Sequence, residues 1–158
     1  MFPMELSRNL RVDSVSRLNP RPPRFLDVGE PVSVAVELMR RENIGCLLVT
    51  RLGRLEGLFT ERDLLARILG RGRSLETPMA DCMTPDPSVV HPRDSVRSAI
   101  RKMEAGSYRH LPVVDDSDRP VGILSVKQVV HYLVEHFPGL VYNQPPLANH
   151  YPDKAEGA

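Results

Sequence analysis

Apolar residues recur with helical spacing in two separate stretches of the chain, residues 32–39 and 96–103. In each stretch they lie at positions i, i+3, i+4 and i+7, so they share one face of a helix. The two sets are 64 residues apart, at Val32, Ala35, Val36 and Met39 and at Val96, Ala99, Ile100 and Met103. The pattern predicts two equivalent amphipathic helices and therefore an internal repeat.

Short apolar runs extend this repeat on the C-terminal side of each helix. Residues 46–49 match 110–113 at the same shift, and both runs are typical of buried strands. Residues 57–60 match 122–125 at a shift of 65, because the second turn is one residue longer, and each pair of runs predicts a hairpin. Apolar residues with helical spacing predict a closing helix after each hairpin, namely Leu64, Leu65 and Ile68 in one copy and Val129, Val130 and Leu133 in the other.

Each copy is thus predicted to have the order strand, helix, strand, strand, helix, which makes the fold class α+β. A unit of about 50 residues buries little apolar surface alone, so we expect the two pseudo-symmetric β-α-β-β-α repeats to pack through their sheets, with clefts between them. We predict an N-terminal arm, a first repeat, a linker, a second repeat and a Pro-rich tail, at residues 1–16, 17–71, 72–80, 81–137 and 138–158. Residues 1–23 and 138–158 each contain four prolines, and both ends of the chain are expected to be extended.

Composition narrows the function classes. The chain is 41% hydrophobic and 26% charged, which is typical of soluble globular domains. Its formal net charge of +1 argues against a broad electrostatic grip on nucleic acid or membrane. The two cysteines form no disulfide framework and the histidines lack metal-ligand spacing, so no metal site is expected. We recognise no signal peptide and no apolar run of membrane length, and the expected location is the cytoplasm.

The most informative string is residues 57–63, GLFTERD, at the point where a strand ends and a helix begins. Thr60 and Asp63 share the first helical turn, and the carboxylate can accept hydrogen bonds from both hydroxyls of a ribose. The glycine of the string would leave room for close backbone approach. The same spacing also describes a capping box that satisfies the backbone amides of the helix start. Both interpretations remain open from the sequence.

The second copy carries Ser125 and Gln128 where the first carries Thr60 and Asp63. This pair keeps a cap but lacks the charged acceptor for a diol. If the feature binds a ligand, the first copy is therefore competent and the second is weakened. If Asp63 is spent on its own backbone with no cavity beside it, only the cap remains.

A nucleotide ligand also needs phosphate contacts, for which basic residues of the second copy are candidates. Arg109 and His110 stand just before a predicted strand, and Lys127 lies in the first turn of the last helix. Pseudo-symmetric packing would bring these residues beside the cleft of the first copy, where Arg62 of the string adds another cation. The alternative is that Arg109 and His110 are simply polar residues leading into a strand.

Signatures of catalysis are weak. We find no Gly-rich phosphate loop of the dinucleotide or P-loop kind, and no nucleophile with a recognisable base and oxyanion partner. The chain is therefore expected not to be an enzyme.

The repeat resembles the cystathionine beta-synthase (CBS) domain, and the pair resembles a Bateman module. The resemblance covers about residues 15–137 and depends on four strings taken together with the internal repeat. These strings are residues 57–63 (GLFTERD), 81–84 (DCMT), 109–115 (RHLPVVD) and 121–125 (VGILS).

The resemblance implies a regulatory module that binds an adenosine ligand, AMP, ADP or ATP and sometimes S-adenosylmethionine, between the repeats. It implies ribose contacts at Thr60 and Asp63, and phosphate contacts at the basic residues before the strand of the partner repeat. It also implies an adenine pocket, which maps onto Phe25, Cys46 and Leu47. Modules of this family usually form homodimers through their helices, and this chain is expected to act on a partner protein.

Two other functions compete with nucleotide sensing. In the first, the pair is a ligand-free interaction module in which Thr60 and Asp63 only cap a helix. In the second, the Arg-rich residues 8–24, with five arginines and one aspartate, bind nucleic acid electrostatically.

Overall fold

The structure, a computed structural model, describes residues 4–137. Residues 1–3 and the predicted tail at 138–158 lie outside the described residues. The helices are α1 (Met4–Val12), α2 (Val32–Glu42), α3 (Glu61–Asp63), α4 (Val96–Gly106) and α5 (Val126–His136). The strands are β1 (Phe25–Asp27), β2 (Cys46–Arg51), β3 (Arg54–Thr60), β4 (Thr84–Pro85), β5 (His110–Val114) and β6 (Pro120–Ser125). Short 3₁₀ turns occupy Val15–Leu18 and Met79–Asp81.

The first repeat is built on a four-stranded sheet with the order β1-β2-β3-β4. β1 runs parallel to β2, β2 and β3 form the predicted antiparallel hairpin, and β4 pairs antiparallel to β3. Helix α2 covers this sheet through Val32, Ala35 and Met39, which are buried as the apolar pattern predicts.

The second repeat reproduces this arrangement with shorter pairings. β5 and β6 form its hairpin, Val90 bridges in parallel to Val113, and Arg21 bridges antiparallel to Ile123. These two bridges stand where β1 and β4 stand in the first repeat, so the two halves are pseudo-symmetric. The predicted α+β class and the tandem β-α-β-β-α repeats are confirmed.

Two segments cross between the repeats, and we name them the first crossing segment (residues 15–27) and the second crossing segment (residues 79–90). Val15 and Leu18 open the first segment, yet they are buried in the core of the second repeat. Met79 and Cys82 open the second segment and are buried in the core of the first repeat. Backbone bonds repeat this exchange, because Val15 N donates to Asp94 O at 2.8 Å and Met79 N donates to Glu30 O at 2.8 Å. Each crossing segment is the lead-in of one repeat, that is, the segment that precedes its first helix. Each repeat therefore receives part of its core from the lead-in of the other.

The N-terminal segment differs from the extended arm that its prolines predict. Residues 4–12 form helix α1, because Leu6 and Leu10 lie one turn apart and are both buried in the core of the second repeat. The helix packs against α4. Among the described residues, no helix combines the length and the apolar content needed to cross a bilayer.

The closing helix of the first repeat is less regular than predicted. The chain leaves α3 into a π-helical turn at Leu64–Ile68 and a 3₁₀ turn at Leu69–Arg71. Only part of the predicted apolar face points inward, since Ile68 is fully buried while Leu65 is 62% exposed. The equivalent Val130 of α5 is 51% exposed, so both closing helices present an apolar side chain to solvent at the same repeat position.

Candidate functional site

Thr60 and Asp63 form a capping box at the start of α3. The backbone N–H of Thr60 donates to Asp63 Oδ2 at 2.9 Å, and Asp63 N–H donates to Thr60 Oγ1 at 3.3 Å. The Thr60 hydroxyl also lies 3.2 Å from Asp63 Oδ2. The capping geometry, which the sequence left as one of two interpretations, is therefore present.

The second oxygen of the same carboxylate is directed away from this cap. Asp63 Oδ1 accepts from the Thr84 hydroxyl at 3.1 Å and lies 3.3 Å from Arg67 Nε. Arg67 Nη1 also donates to Met83 O at 2.8 Å. Only one oxygen of Asp63, Oδ2, is therefore used for the helix cap. The other oxygen, Oδ1, binds the second crossing segment through Thr84.

The second repeat makes the corresponding contacts with one neutral side chain. Gln128 Oε1 accepts from Ser125 N–H at 2.6 Å, as Asp63 does from Thr60. Gln128 Nε2 donates to Asn19 O at 2.9 Å, which ties α5 to the first crossing segment. Gln128 therefore performs alone the contacts that Asp63 and Arg67 share in the first repeat.

Gly57 allows the close approach that the sequence predicts, and the group that approaches its backbone is Met83 of the same chain. A Cβ atom at position 57 would lie 2.4 Å from Met83 Sδ and 3.0 Å from Thr84 O. The equivalent Gly122 faces the other crossing segment, with Pro20 Cβ at 3.0 Å from a Cβ built there. Both glycines let a crossing segment lie against the second strand of the opposite repeat.

Three of the four predicted phosphate-binding residues gather at one end of the β5–β6 hairpin. His110 opens β5 opposite Ser125, and Arg109 O accepts from Val126 N–H at 3.0 Å, next to Lys127. Arg62 is exposed in the first turn of α3, next to Glu61. Arg21 belongs to the same end because it bridges to Ile123 of β6. Sequence reasoning missed Arg21, since only the crossing brings it to this sheet.

The electrostatics of His110 reflect this cationic group. Burial lowers the pKa of His110, and Arg109, Lys127 and Arg21 lower it further, while Glu61 of the first repeat opposes them. The two repeats therefore meet close to His110, with Glu61 as the counter-charge.

This environment predicts acid sensitivity of the unliganded protein. Because the folded pKa of His110 lies below its ordinary value near 6.5, the unfolded chain binds this proton more readily, and the free energy of unfolding should fall as pH drops through about 6.5. His110→Gln should lose less stability between pH 7 and pH 5 than the wild type does, measured by urea unfolding at each pH. His131→Gln, which changes an exposed histidine, is the matched control and should follow the wild type.

The side chains expected to form the adenine pocket differ widely in their exposure. Leu47 is fully buried and belongs to the first core, and Cys46 is 4% exposed. Burial, with a smaller effect of Asp63, raises the pKa of the Cys46 thiol to about 12. Phe25 is 51% exposed on β1. The sequence placed the pocket on β1 and β2 of the first repeat; Asp63 lies near Cys46 of β2 and also contacts Thr84 of the second crossing segment.

A cavity of about 440 Å³ lies at the boundary between the two repeats. It is lined by apolar and acidic side chains, including Leu55, Met83, Val89 and Val114 and the carboxylates of Glu56 and Asp118. The turn of the second hairpin closes one side, where Leu55 N–H donates to Asp118 O at 2.9 Å. Met83 and Pro85, the neighbours of Thr84, both line the cavity, so it shares the second crossing segment with Asp63.

Metal binding has little support in the described part of the chain. Residues 4–137 contain no group of three or more His, Cys, Asp or Glu side chains placed to hold an ion. Cys46 and Cys82 are both buried free thiols.

Comparison with known proteins agrees with the internal repeat. The family model of the CBS domain matches residues 15–70 and again residues 79–135. The CBS domain-containing protein YhcV of Bacillus subtilis is 31% identical over 97 residues, which span 61% of this chain and 69% of that protein. Two further curated relatives are much longer proteins, since the chain spans 21% of one from Arabidopsis thaliana and 13% of one from Schizosaccharomyces pombe.

Solved structures share the same architecture. A CBS-domain-containing protein from Agrobacterium tumefaciens is 27% identical, with a TM-score of 0.68 over 76% of this chain and 98% of its own. A CBS domain protein from Pyrobaculum aerophilum, complexed with AMP, is 26% identical, with a TM-score of 0.67 over 73% of this chain and 89% of its own. Both family matches start where a crossing segment starts, at residues 15 and 79. The chain therefore belongs to the CBS domain family and contains two CBS domains in tandem.

Proposed function

We propose that this CBS pair is a regulatory module that binds an adenosine ligand, AMP, ADP or ATP, in the cleft between its repeats. The observation that carries the proposal is the Asp63 carboxylate, which lies beside Thr60 and contacts the crossing segment that also lines the inter-repeat cavity. The AMP-bound relative from Pyrobaculum aerophilum gives independent support from a protein of the same fold.

In this proposal the ribose binds at Thr60 and Asp63. A carboxylate offers about four acceptor positions, and a vicinal diol uses two of them. Oδ2 stays with the helix cap, while Oδ1 exchanges its contacts with Thr84 and Arg67 for the ribose hydroxyls. Cap and ligand are then compatible functions of one side chain.

Phosphates are assigned to the basic end of the second hairpin. Arg109, His110 and Lys127 gather there, and Arg21 from the first crossing segment joins Arg109 and Lys127 as a third cation. Arginine suits phosphate recognition because its planar guanidinium donates two parallel hydrogen bonds. Glu61 lies at the same place and is expected to disfavour ligands that carry a longer phosphate chain past it.

The adenine ring is assigned to the inter-repeat cavity. Its apolar side chains, among them Leu55, Met83 and Val114, can sandwich a planar base, and the volume of about 440 Å³ is of the size that small-molecule sites have. This assignment differs from the one made from the sequence, which used Phe25, Cys46 and Leu47; Cys46 and Leu47 are buried in the first repeat.

Only one ligand is proposed for each pair of repeats. Gln128 contacts Asn19 O in the second repeat and brings no charge to a diol. Calorimetric titration of the full chain with AMP, ADP and ATP tests the whole proposal. We expect saturable binding with a stoichiometry of about one per chain, whereas heat that never saturates for any of the three nucleotides would contradict it.

The module is further proposed to form a homodimer and to act on a partner protein. The exposed Leu65 and Val130, at equivalent positions of the two closing helices, support a helical contact surface. A ligand changes such an assembly only if it binds one arrangement of the repeats more tightly than the other.

A second candidate function, a ligand-free interaction module, is favoured by the completeness of the cap. Asp63 Oδ2 and Thr60 already satisfy each other through the backbone of α3. This function predicts that substitution of Asp63 changes the free energy of unfolding by about 1 kcal/mol. It also predicts that neither the wild type nor the variant binds nucleotide.

A further inference from the structure

We infer that Arg67, together with the Thr84 hydroxyl, competes with the ligand for Asp63 and so sets the affinity of the site. This inference rests on the proposed function, since it concerns the regulation of the same site. It depends on a contact pattern that the described structure provides around one buried carboxylate, which is 7% exposed.

Four polar groups of the protein occupy the Asp63 carboxylate. Oδ2 faces the backbone N–H and the hydroxyl of Thr60, at 2.9 and 3.2 Å. Oδ1 faces the Thr84 hydroxyl at 3.1 Å and Arg67 Nε at 3.3 Å. A carboxylate has about four acceptor positions in total. A ribose diol can therefore bind only when some of these groups leave.

The groups on Oδ1 are the ones free to leave. The contacts on Oδ2 come from the residue that caps α3, and breaking them would expose the backbone donors of the helix start. Arg67 is a long side chain that is 41% exposed, so its guanidinium can return to water at low cost. The hydroxyl of Thr84 can rotate to another acceptor.

Release of Arg67 from Asp63 also affects a contact between the two repeats. Arg67 Nη1 also donates to Met83 O at 2.8 Å, so one guanidinium links the helical segment of the first repeat to the second crossing segment. This segment continues into the second repeat, where Val90 pairs with Val113. Ligand binding that displaces Arg67 and Thr84 from Asp63 therefore loosens a tie between the two repeats. The same competition that lowers affinity gives the ligand a way to change their packing.

The test is calorimetric titration of full-length variants with AMP as the probe. Arg67→Met keeps the aliphatic stem but removes the charge and the donors, and Thr84→Val removes only the hydroxyl. Each variant is expected to bind AMP about threefold to tenfold more tightly than the wild type, because the ligand no longer displaces an existing contact. Arg71→Gln, an exposed arginine four residues further along, is the matched control and should bind as the wild type does.

The outcomes separate this inference from the proposed function. A wild type that fails to bind AMP, ADP and ATP overturns the proposed function, and the competition with it. A wild type that binds AMP while Arg67→Met and Thr84→Val bind it equally well or more weakly overturns the competition alone, since both groups would then be neutral or helpful to binding. If Arg67→Met is poorly folded by circular dichroism, the smaller Thr84→Val change decides the question in the same way.

Discussion

Asp63→Asn should lower the affinity for AMP by about 100-fold or more. The amide keeps one oxygen for the backbone N–H of Thr60, so the cap of α3 survives in part. It loses the negative charge that makes hydrogen bonds from a ribose diol strong, and such charge-assisted bonds contribute about 1.5–3 kcal/mol each. Titration calorimetry against the wild type measures the loss.

The stability of this variant must be followed in parallel, because Asp63 also contacts Arg67 and Thr84. We expect the free energy of unfolding to fall by only about 1 kcal/mol, since the guanidinium of Arg67 is partly exposed. Glu76→Gln removes the same charge from an exposed position and should leave affinity unchanged. Normal AMP binding by a folded Asp63→Asn protein would contradict the ribose assignment.

Met79→Ala should lower the free energy of unfolding by about 2–5 kcal/mol. Met79 is fully buried in the core of the first repeat although it opens the lead-in of the second. Truncation leaves a cavity that the surrounding side chains fill only in part. Urea unfolding followed by circular dichroism measures the change.

A single cooperative transition is expected for this variant. The second crossing segment joins both cores, so loosening one of its ends affects the repeat at the other end. Met4→Ala provides a control of identical chemistry, because Met4 is 90% exposed and its truncation should alter stability by less than about 0.5 kcal/mol. A loss at Met79 no larger than at Met4 would mean that the crossing segment does not complete the first core.

The internal repeat was the part of the fold that the sequence predicted best. Helices α2 and α4 follow directly from apolar spacing, because the face of Val32 and Met39, like that of Val96 and Met103, is buried on a sheet. The spacing of apolar residues is a local property of the chain. It therefore predicts a helix and its buried face without information about the elements that pack against it.

The crossing of the lead-in segments could not be predicted in the same way. The spacing of Val15 and Leu18 matches that of Met79 and Cys82, but it does not state which of two equivalent cores each pair enters. For this reason the predicted adenine pocket of Phe25, Cys46 and Leu47 includes no residue of the second crossing segment. Asp63 contacts that segment through Thr84, and it also lies close enough to Cys46 to contribute to the raised pKa of its thiol.

Helix α1 was missed because its signal is short. Two buried leucines, Leu6 and Leu10, give a single helical interval, and the nearby prolines favour an extended chain. Packing against α4 stabilises this helix. The helix therefore forms because of tertiary contacts and not because of the helix propensity of its residues. The site itself was predicted in part, since the cap at Thr60 and Asp63 is local, while Arg67, Thr84 and Arg21 depend on the crossing.

The exchange of lead-in segments has a topological consequence for either repeat on its own. A fragment with one repeat carries one incomplete core and one lead-in with no core to enter. Two such fragments are complementary, so the intact chain corresponds to a domain swap enclosed within one polypeptide. The residues between the repeats, around 70–76, then keep the complementary halves at high effective concentration, and Leu75 O also accepts from Ser33 N–H at the start of α2.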